Sequence, residues 1–241
     1  PGDNKGYYEI QVDVNGAIFD TSWDDYNQPI EGADDATKKF GHMDWSSNLK
    51  QAVVIDPSSD PCQSLLLMSL LAERELTLAH ILLTHTHRQA ANDLADHYRG
   101  TPIVVGKHTR SSIGDRLVEH GETIQFGDER IQVIATPGHT TDSVSYLWRD
   151  RLFCGDALEL RGCARNVADD CDPRRIYDSV VTRLFALSDE TLVFPGLDFH
   201  GRTVSTIGEE RTHNPFFLTR SRDDFVTAFS TYRPGPLHFP A

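Results

Sequence analysis

Apolar and polar positions alternate or cluster along this chain with a period that changes repeatedly. From Tyr7 to Phe19 they alternate, which predicts a strand or hairpin. Residues 20–49 are polar and acidic with scattered aromatics (Trp23, Tyr26, Phe40, Trp45), and read as a long insertion or lid. Ala52-Val53-Val54-Ile55 is a short continuous apolar run closed by Asp56-Pro57, the pattern of a buried strand. The Leu-rich stretch from Cys62 to Glu75 predicts a helix, and Ala79 to Thr84 a second buried strand. Further strands are expected at 102–105, 131–136, 144–148, 152–154 and 192–194, with a helix over 90–97. Tyr177, Val180, Val181, Leu184 and Phe185 recur at helical spacing. Thr206 followed by Glu209 forms a capping-box pattern for one more helix. Strands and helices interleave throughout, so the expectation is an α/β layered domain.

Composition narrows the picture modestly. A chain of 241 residues with 39% hydrophobic content is long enough for one large core, and residues 1–241 are expected to form a single domain. The 36 acidic against 23 basic residues leave a net charge of −13, which disfavours nucleic acid and anionic membrane surfaces as partners. No apolar run is long enough to cross a bilayer, and no basic stretch followed by an apolar one suggests a signal peptide. The four cysteines (Cys62, Cys154, Cys163, Cys171) form no C-x-x-C pair, so reduced thiols in a cytoplasmic enzyme are the expectation. A homodimer is compatible with the sequence and nothing in it fixes one.

The candidate chemistry lies where apolar runs stop. His85 follows Ile81-Leu82-Leu83, His139 stands in Pro137-Gly138-His139-Thr140, and Asp156 ends Phe153-Cys154-Gly155-Asp156. A histidine after a strand is ordinarily a satisfied polar residue, and Gly-Asp is ordinarily a turn. Three such groups, each at a strand end, instead suggest side chains converging on one edge of a sheet. Two imidazoles and a carboxylate make a facial triad that leaves coordination positions open, which suits mononuclear non-haem Fe(II). A hydrolytic zinc site more often uses three protein ligands and an activated water. His87 reads either as a fourth ligand or as a group behind the ligands. Asp169, Asp170 and Asp172 are either a solvated loop or a site for an amine.

The stretch Thr84-His85-Thr86-His87-Arg88-Gln89-Ala90 resembles the H-x-H-x-D-H motif of the metallo-β-lactamase superfamily, whose fold is an αββα four-layer sandwich. Within that superfamily the chain is similar to the persulfide dioxygenases, with the glyoxalase II thioesterases as their neighbours. The likeness is densest at Gly155-Asp156-Ala157-Leu158, Arg161-Gly162-Cys163-Ala164-Arg165, Tyr177-Asp178-Ser179 and the run from Gly201 to Arg211. The resemblance implies one Fe(II) per chain, held by His85, His139 and Asp156. It also implies that the positions of a second metal are Gln89, Ala90 and Leu197, none of them a suitable ligand. A binuclear hydrolase is therefore not expected. By the same likeness Arg165, Asn166 and Phe199 line the substrate site. Arg165 matches a basic residue near a glutathione carboxylate, Asn166 opens a segment in which a Gln pair has become acidic, and Phe199 replaces a tyrosine. The implied activity is oxidation of the sulfur of a small thiol or persulfide by dioxygen. A single-metal zinc thioester hydrolase and a metal-free binding protein are the alternatives.

Overall fold

A computed structural model describes residues 8–13, 18–22, 39–46, 50–57, 61–86, 98–163, 170–196, 204–218 and 221–231. It contains two sheets. The first holds strands β1 (Tyr8–Asp13), β2 (Ile18–Ser22), β3 (Lys39–Ser46), β4 (Gln51–Ile55), β5 (Thr77–Leu82), β6 (Ile103–Gly106) and β7 (Arg116–Val118) in the order β2-β1-β3-β4-β5-β6-β7. The second holds β8 (Thr123–Phe126), β9 (Glu129–Ala135), β10 (Val144–Trp148), β11 (Arg151–Gly155), β12 (Leu192–Pro195) and β13 (Ser205–Thr206), neighbours in chain order. β1 and β2 pair antiparallel as the expected hairpin.

Within the segment 20–49 read as an insertion or lid, residues 39–46 form β3, an interior strand antiparallel to both β1 and β4 with Asp44 opposite Val53. Its sequence, KFGHMDWS, carries no clean alternation, so only its neighbours identify it as a strand. Residues 23–38 and 47–49 of the expected insertion, and the helix expected over 90–97, lie outside the described residues.

β4, β5, β6 and β7 are mutually parallel. Parallel strands are covered on both faces, which is why β4 and β6 read as uninterrupted apolar runs. Alternate residues of β4 divide between two cores. Val53 and Ile55 face the second sheet, packing with Leu82, Val104, Phe126, Val133, Tyr146, Trp148 and Phe153. Ala52 and Val54 face outward, with Ile81 and Val105, under Leu67 and Leu71 of α1 (Pro61–Glu73). The outer face of the second sheet presents Ile134, Leu152, Cys154 and Val193 to a helical layer. That layer is built from α2 (Pro173–Ser179), a π-helical turn over Val180–Leu184, α3 (Ile207–His213) and α4 (Arg222–Thr231). Helix, sheet, sheet, helix is the four-layer order expected. Each fully buried Leu, Ile, Val or Phe contributes roughly 1.5–3 kcal/mol, so the inter-sheet core and the core under the helical layer both contribute heavily to stability.

The capping box forms by half. Thr206 Oγ1 accepts from Glu209 N at 3.1 Å. The Glu209 carboxylate instead takes the Arg161 guanidinium, while the Ser205 hydroxyl donates to Glu210 at 2.7 Å.

Candidate metal centre

Strand ends from both sheets converge at one edge of the sandwich. His85 follows β5 in the first sheet, whereas His139 follows β9 and Asp156 follows β11 in the second. One donor atom of each lies within 4.8 Å of the others. His139 Nε2 is 3.5 Å from Asp156 Oδ2, and the two imidazoles meet edge to face with centroids 4.9 Å apart. His139 is fully buried, while His85 and Asp156 are partly open to solvent. Such spacing is too wide for a hydrogen-bonded trio and suits three donors around one ion, whose bonds to nitrogen and oxygen run about 2.0–2.2 Å. Two neutral imidazoles and a carboxylate are a donor set that a divalent transition metal accepts.

The ring of His85 is oriented from behind. Asp56, at the end of β4, accepts from Thr84 N at 2.7 Å through Oδ1 and from Thr84 Oγ1 at 2.6 Å through Oδ2. Thr84 has one hydroxyl proton, and Asp56 takes it. The 3.0 Å contact between Thr84 Oγ1 and His85 Nδ1 therefore runs from the imidazole N–H to the hydroxyl. That fixes the tautomer with its lone pair on Nε2, the atom available to a metal. Burial pushes the Asp56 carboxyl above its ordinary range, opposed by the neighbouring His85 ring and by the two Thr84 donors. Sequence reading took Asp56 only for a turn residue. Its partnership with Thr84 depends on β4 lying beside β5, which no local pattern reveals.

The other two donors are held by tight packing. Gly155 has φ +52°, and a Cβ there would lie 2.2 Å from Thr84 Oγ1, so only glycine lets the β11 turn pass this close to the first sheet. Pro137 O accepts from Ser179 Oγ at 2.7 Å and Gly138 O from Asp172 N at 2.8 Å, which seats the His139 turn on the start and end of α2. Across the sheets, Val144 N donates to Thr84 O at 2.7 Å.

Arg165 and Asn166 lie in the segment 164–169, Phe199 in 197–203 and His87 in 87–97, all outside the described residues. Both flanks of 164–169 are nonetheless tied down. On the near side Arg161 N donates to Glu210 at 2.9 Å, and Asn214 Nδ2 donates to Gly162 O and to Glu210 at 2.9 Å each. Glu210 and Asn214 are fully buried. On the far side Asp170 Oδ2 accepts from Thr141 N at 3.1 Å and from Thr141 Oγ1 at 2.8 Å, two residues past His139. Cys154 and Cys171 are free thiols. Burial raises the Cys171 thiol to about 11, with Asp172 and Asp170 adding to it, and pushes Cys154 higher still. Neither is a nucleophile at neutral pH.

Known proteins with these features are several. A profile of the metallo-beta-lactamase superfamily matches residues 48–196. The Bos taurus protein named persulfide dioxygenase ETHE1, mitochondrial, is 35% identical over 188 residues, spanning 73% of this chain and 70% of that protein. A hydroxyacylglutathione hydrolase of Yersinia enterocolitica is 32% identical over 147 residues, spanning 60% of this chain and 56% of its own length. The crystal structure of ETHE1 from Myxococcus xanthus matches with a TM-score of 0.75 at 36% identity, covering 84% of this chain and 89% of that one. No helix among the described residues is long and apolar enough to cross a membrane. Fold, strand-end donors and relatives agree: the chain belongs to the metallo-β-lactamase superfamily, in the group related to persulfide dioxygenases.

Proposed function

We propose that the protein holds one Fe(II) through His85, His139 and Asp156 and oxidises the sulfur of a small thiol or persulfide with dioxygen. The observation that supports this most is the donor set, two imidazoles and a carboxylate within 4.8 Å, in a chain related to persulfide dioxygenases. Iron held by these three residues would supply the redox chemistry between a sulfur substrate and dioxygen. The residues of the chain set up that chemistry. Asp56 and Thr84 present His85 through Nε2, and the Gly155 turn aims Asp156. Arg165 grips a substrate carboxylate, while Asn166 and Phe199 shape the pocket beside it.

The substrate we propose is smaller than glutathione persulfide, an amino-acid-like thiol or persulfide. The segment from Asn166 to Cys171 carries two carboxylates, Asp169 and Asp170. Asp170 is bonded to Thr141 beside the His139 turn, so negative charge stands at that end of the loop. It repels a multiply anionic substrate and attracts an ammonium group. Phe199 also lacks the hydroxyl donor of a tyrosine, and a missing hydrogen-bond partner discriminates strongly.

The deciding experiment is metal analysis of protein purified without oxygen, followed by oxygen uptake with a panel of thiols and persulfides. One iron per chain and uptake with a small thiol or persulfide support the reading. Two tightly bound ions, or no uptake with any of them, overturn it. A zinc thioesterase is the second reading, favoured by the likeness to hydroxyacylglutathione hydrolases. Efficient metal-dependent hydrolysis of an acylglutathione under anaerobic conditions distinguishes it. A metal-free binding protein is distinguished by the metal analysis itself. The cytoplasmic location stays a proposal beside a relative named as mitochondrial. A homodimer is likewise tested by light scattering.

A further inference from the structure

The His85 and His139 turns are joined by a second set of contacts, away from the three donor atoms. Thr86 Oγ1 donates to Asp142 Oδ2 at 2.6 Å. That bond uses the hydroxyl proton of Thr86, so the 2.8 Å contact with Thr109 Oγ1 runs from Thr109 to Thr86. Ser111 N in turn donates to Thr109 Oγ1 at 3.0 Å. The three bonds point the same way and end on a buried carboxylate, an arrangement in which each bond polarises the next. The backbone is fitted to the same contact. A Cβ on Gly106 would lie 1.9 Å from Asp142 O, so the end of β6 touches the Asp142 backbone directly.

Thr86 is adjacent to His85, and Asp142 is three residues beyond His139. We propose that Asp142 is a positioning residue, which through Thr86 straps the His85 turn to the His139 turn and so sets the spacing of the two imidazoles. The inference rests on reading His85, His139 and Asp156 as one metal centre. At the positions of a second metal, Gln89 and Ala90 offer no imidazole, thiolate or carboxylate through which a further ion could anchor the His85 turn. A hydrogen-bonded strap performs that anchoring without metal. A sub-ångström error in donor spacing matters because metal–ligand distances tolerate only about 0.2 Å.

The test is Co(II) titration of the metal-free protein, followed by visible absorption, for wild type, Asp142→Ala, Asp142→Asn, Thr86→Val and the double variant Thr86→Val/Asp142→Ala. Asp142→Ala is expected to weaken Co(II) binding about 10- to 100-fold and to change the visible band. Asp142→Asn keeps an oxygen that accepts from Thr86, and should recover both to within a few-fold. Thr86→Val should reproduce the Asp142→Ala loss, and the double variant should be no worse than either single one, because both cut the same link. Should Asp142→Ala fail to fold, the nearly isosteric Thr86→Val carries the test alone. Wild-type affinity and band in Thr86→Val, or losses that add in the double variant, overturn the proposal. If wild type itself gives no Co(II) band, the metal-centre reading falls first and this inference with it.

Discussion

Thr84→Val removes one oxygen at the point where Asp56, Thr84 and His85 meet, and its cost can be worked out in advance. Valine keeps the shape and leaves the 2.7 Å backbone bond to Asp56 Oδ1 intact. It deletes the 2.6 Å donor to Asp56 Oδ2 and the 3.0 Å acceptor for His85 Nδ1. A hydrogen bond to a charged group contributes roughly 1.5–3 kcal/mol when buried, and this one is only partly shielded, so about 1–2 kcal/mol is the fair figure. For a chain of this size that lowers the metal-free melting temperature by roughly 2–8 °C. The larger effect falls on the metal. Without its acceptor, Nδ1–H no longer fixes the tautomer or the ring plane. Loss of such an outer partner typically weakens metal binding about 10- to 100-fold, or roughly 1.4–2.8 kcal/mol. Calorimetry of the metal-free protein measures the first effect, and competition with a chromogenic chelator for Zn(II) or Co(II) the second. Thr84→Ser keeps the hydroxyl and should retain most of the affinity. If Thr84→Val bound metal within twofold of wild type, the assigned direction of these hydrogen bonds would be wrong.

Other outcomes follow from the same geometry. His139→Ala should abolish tight metal binding while circular dichroism stays that of a folded protein, since the strands on either side are held by the cores and not by this ring; loss of the folded spectrum would contradict that. In steady-state oxygen uptake, a small amino-acid-like thiol or persulfide should give a higher specificity constant than glutathione persulfide, and the reverse order would show the acidic loop to be neutral toward substrate. With its thiol raised to about 11, Cys171 carries at pH 8 only about a hundredth of the thiolate of a free cysteine, and its alkylation should keep rising up to pH 11; rapid labelling at pH 8, read by peptide mass, would refute this. Burial alone would raise Glu129, but Arg149 and Trp148 bond to it and hold it below the ordinary range. A depressed carboxylate stabilises above its unfolded pKa of about 4.3. Wild type should therefore exceed Glu129→Gln in urea resistance at pH 7 and lose that advantage as pH falls through the depressed value; a constant difference down to pH 2 would refute it.

The donors were legible in the sequence because each one terminates an apolar run. Ile81-Leu82-Leu83 leads to His85 and Leu152-Phe153-Cys154 to Asp156, and a buried strand must deliver its next polar residue to an edge. Their supports were not legible, because Asp56 and Thr84 meet only through the parallel pairing of β4 with β5, and Asp142 reaches Thr86 only across the fold, 56 residues away in the chain. β3 escaped notice for a similar reason, since its strand character is imposed by β1 and β4. The alternation of Thr123-Ile124-Gln125-Phe126, by contrast, announces β8 openly and could have been read. Arg165, Asn166 and Phe199 lie outside the described residues, so their roles stand on the resemblance and on the two anchored flanks of the loop.

The first sheet supplies His85 and the second supplies His139 and Asp156. An ion coordinated by all three would be a rivet through both halves of the sandwich. A nick between Lys107 and Ser111, on the surface turn after β6, would leave His85 on one fragment and the other two donors on the second. Neither piece could then bind the ion tightly by itself. Mixing them with Co(II) should give colour only as the fragments reassemble, so the centre would serve as an optical counter of successful docking between the two fragments.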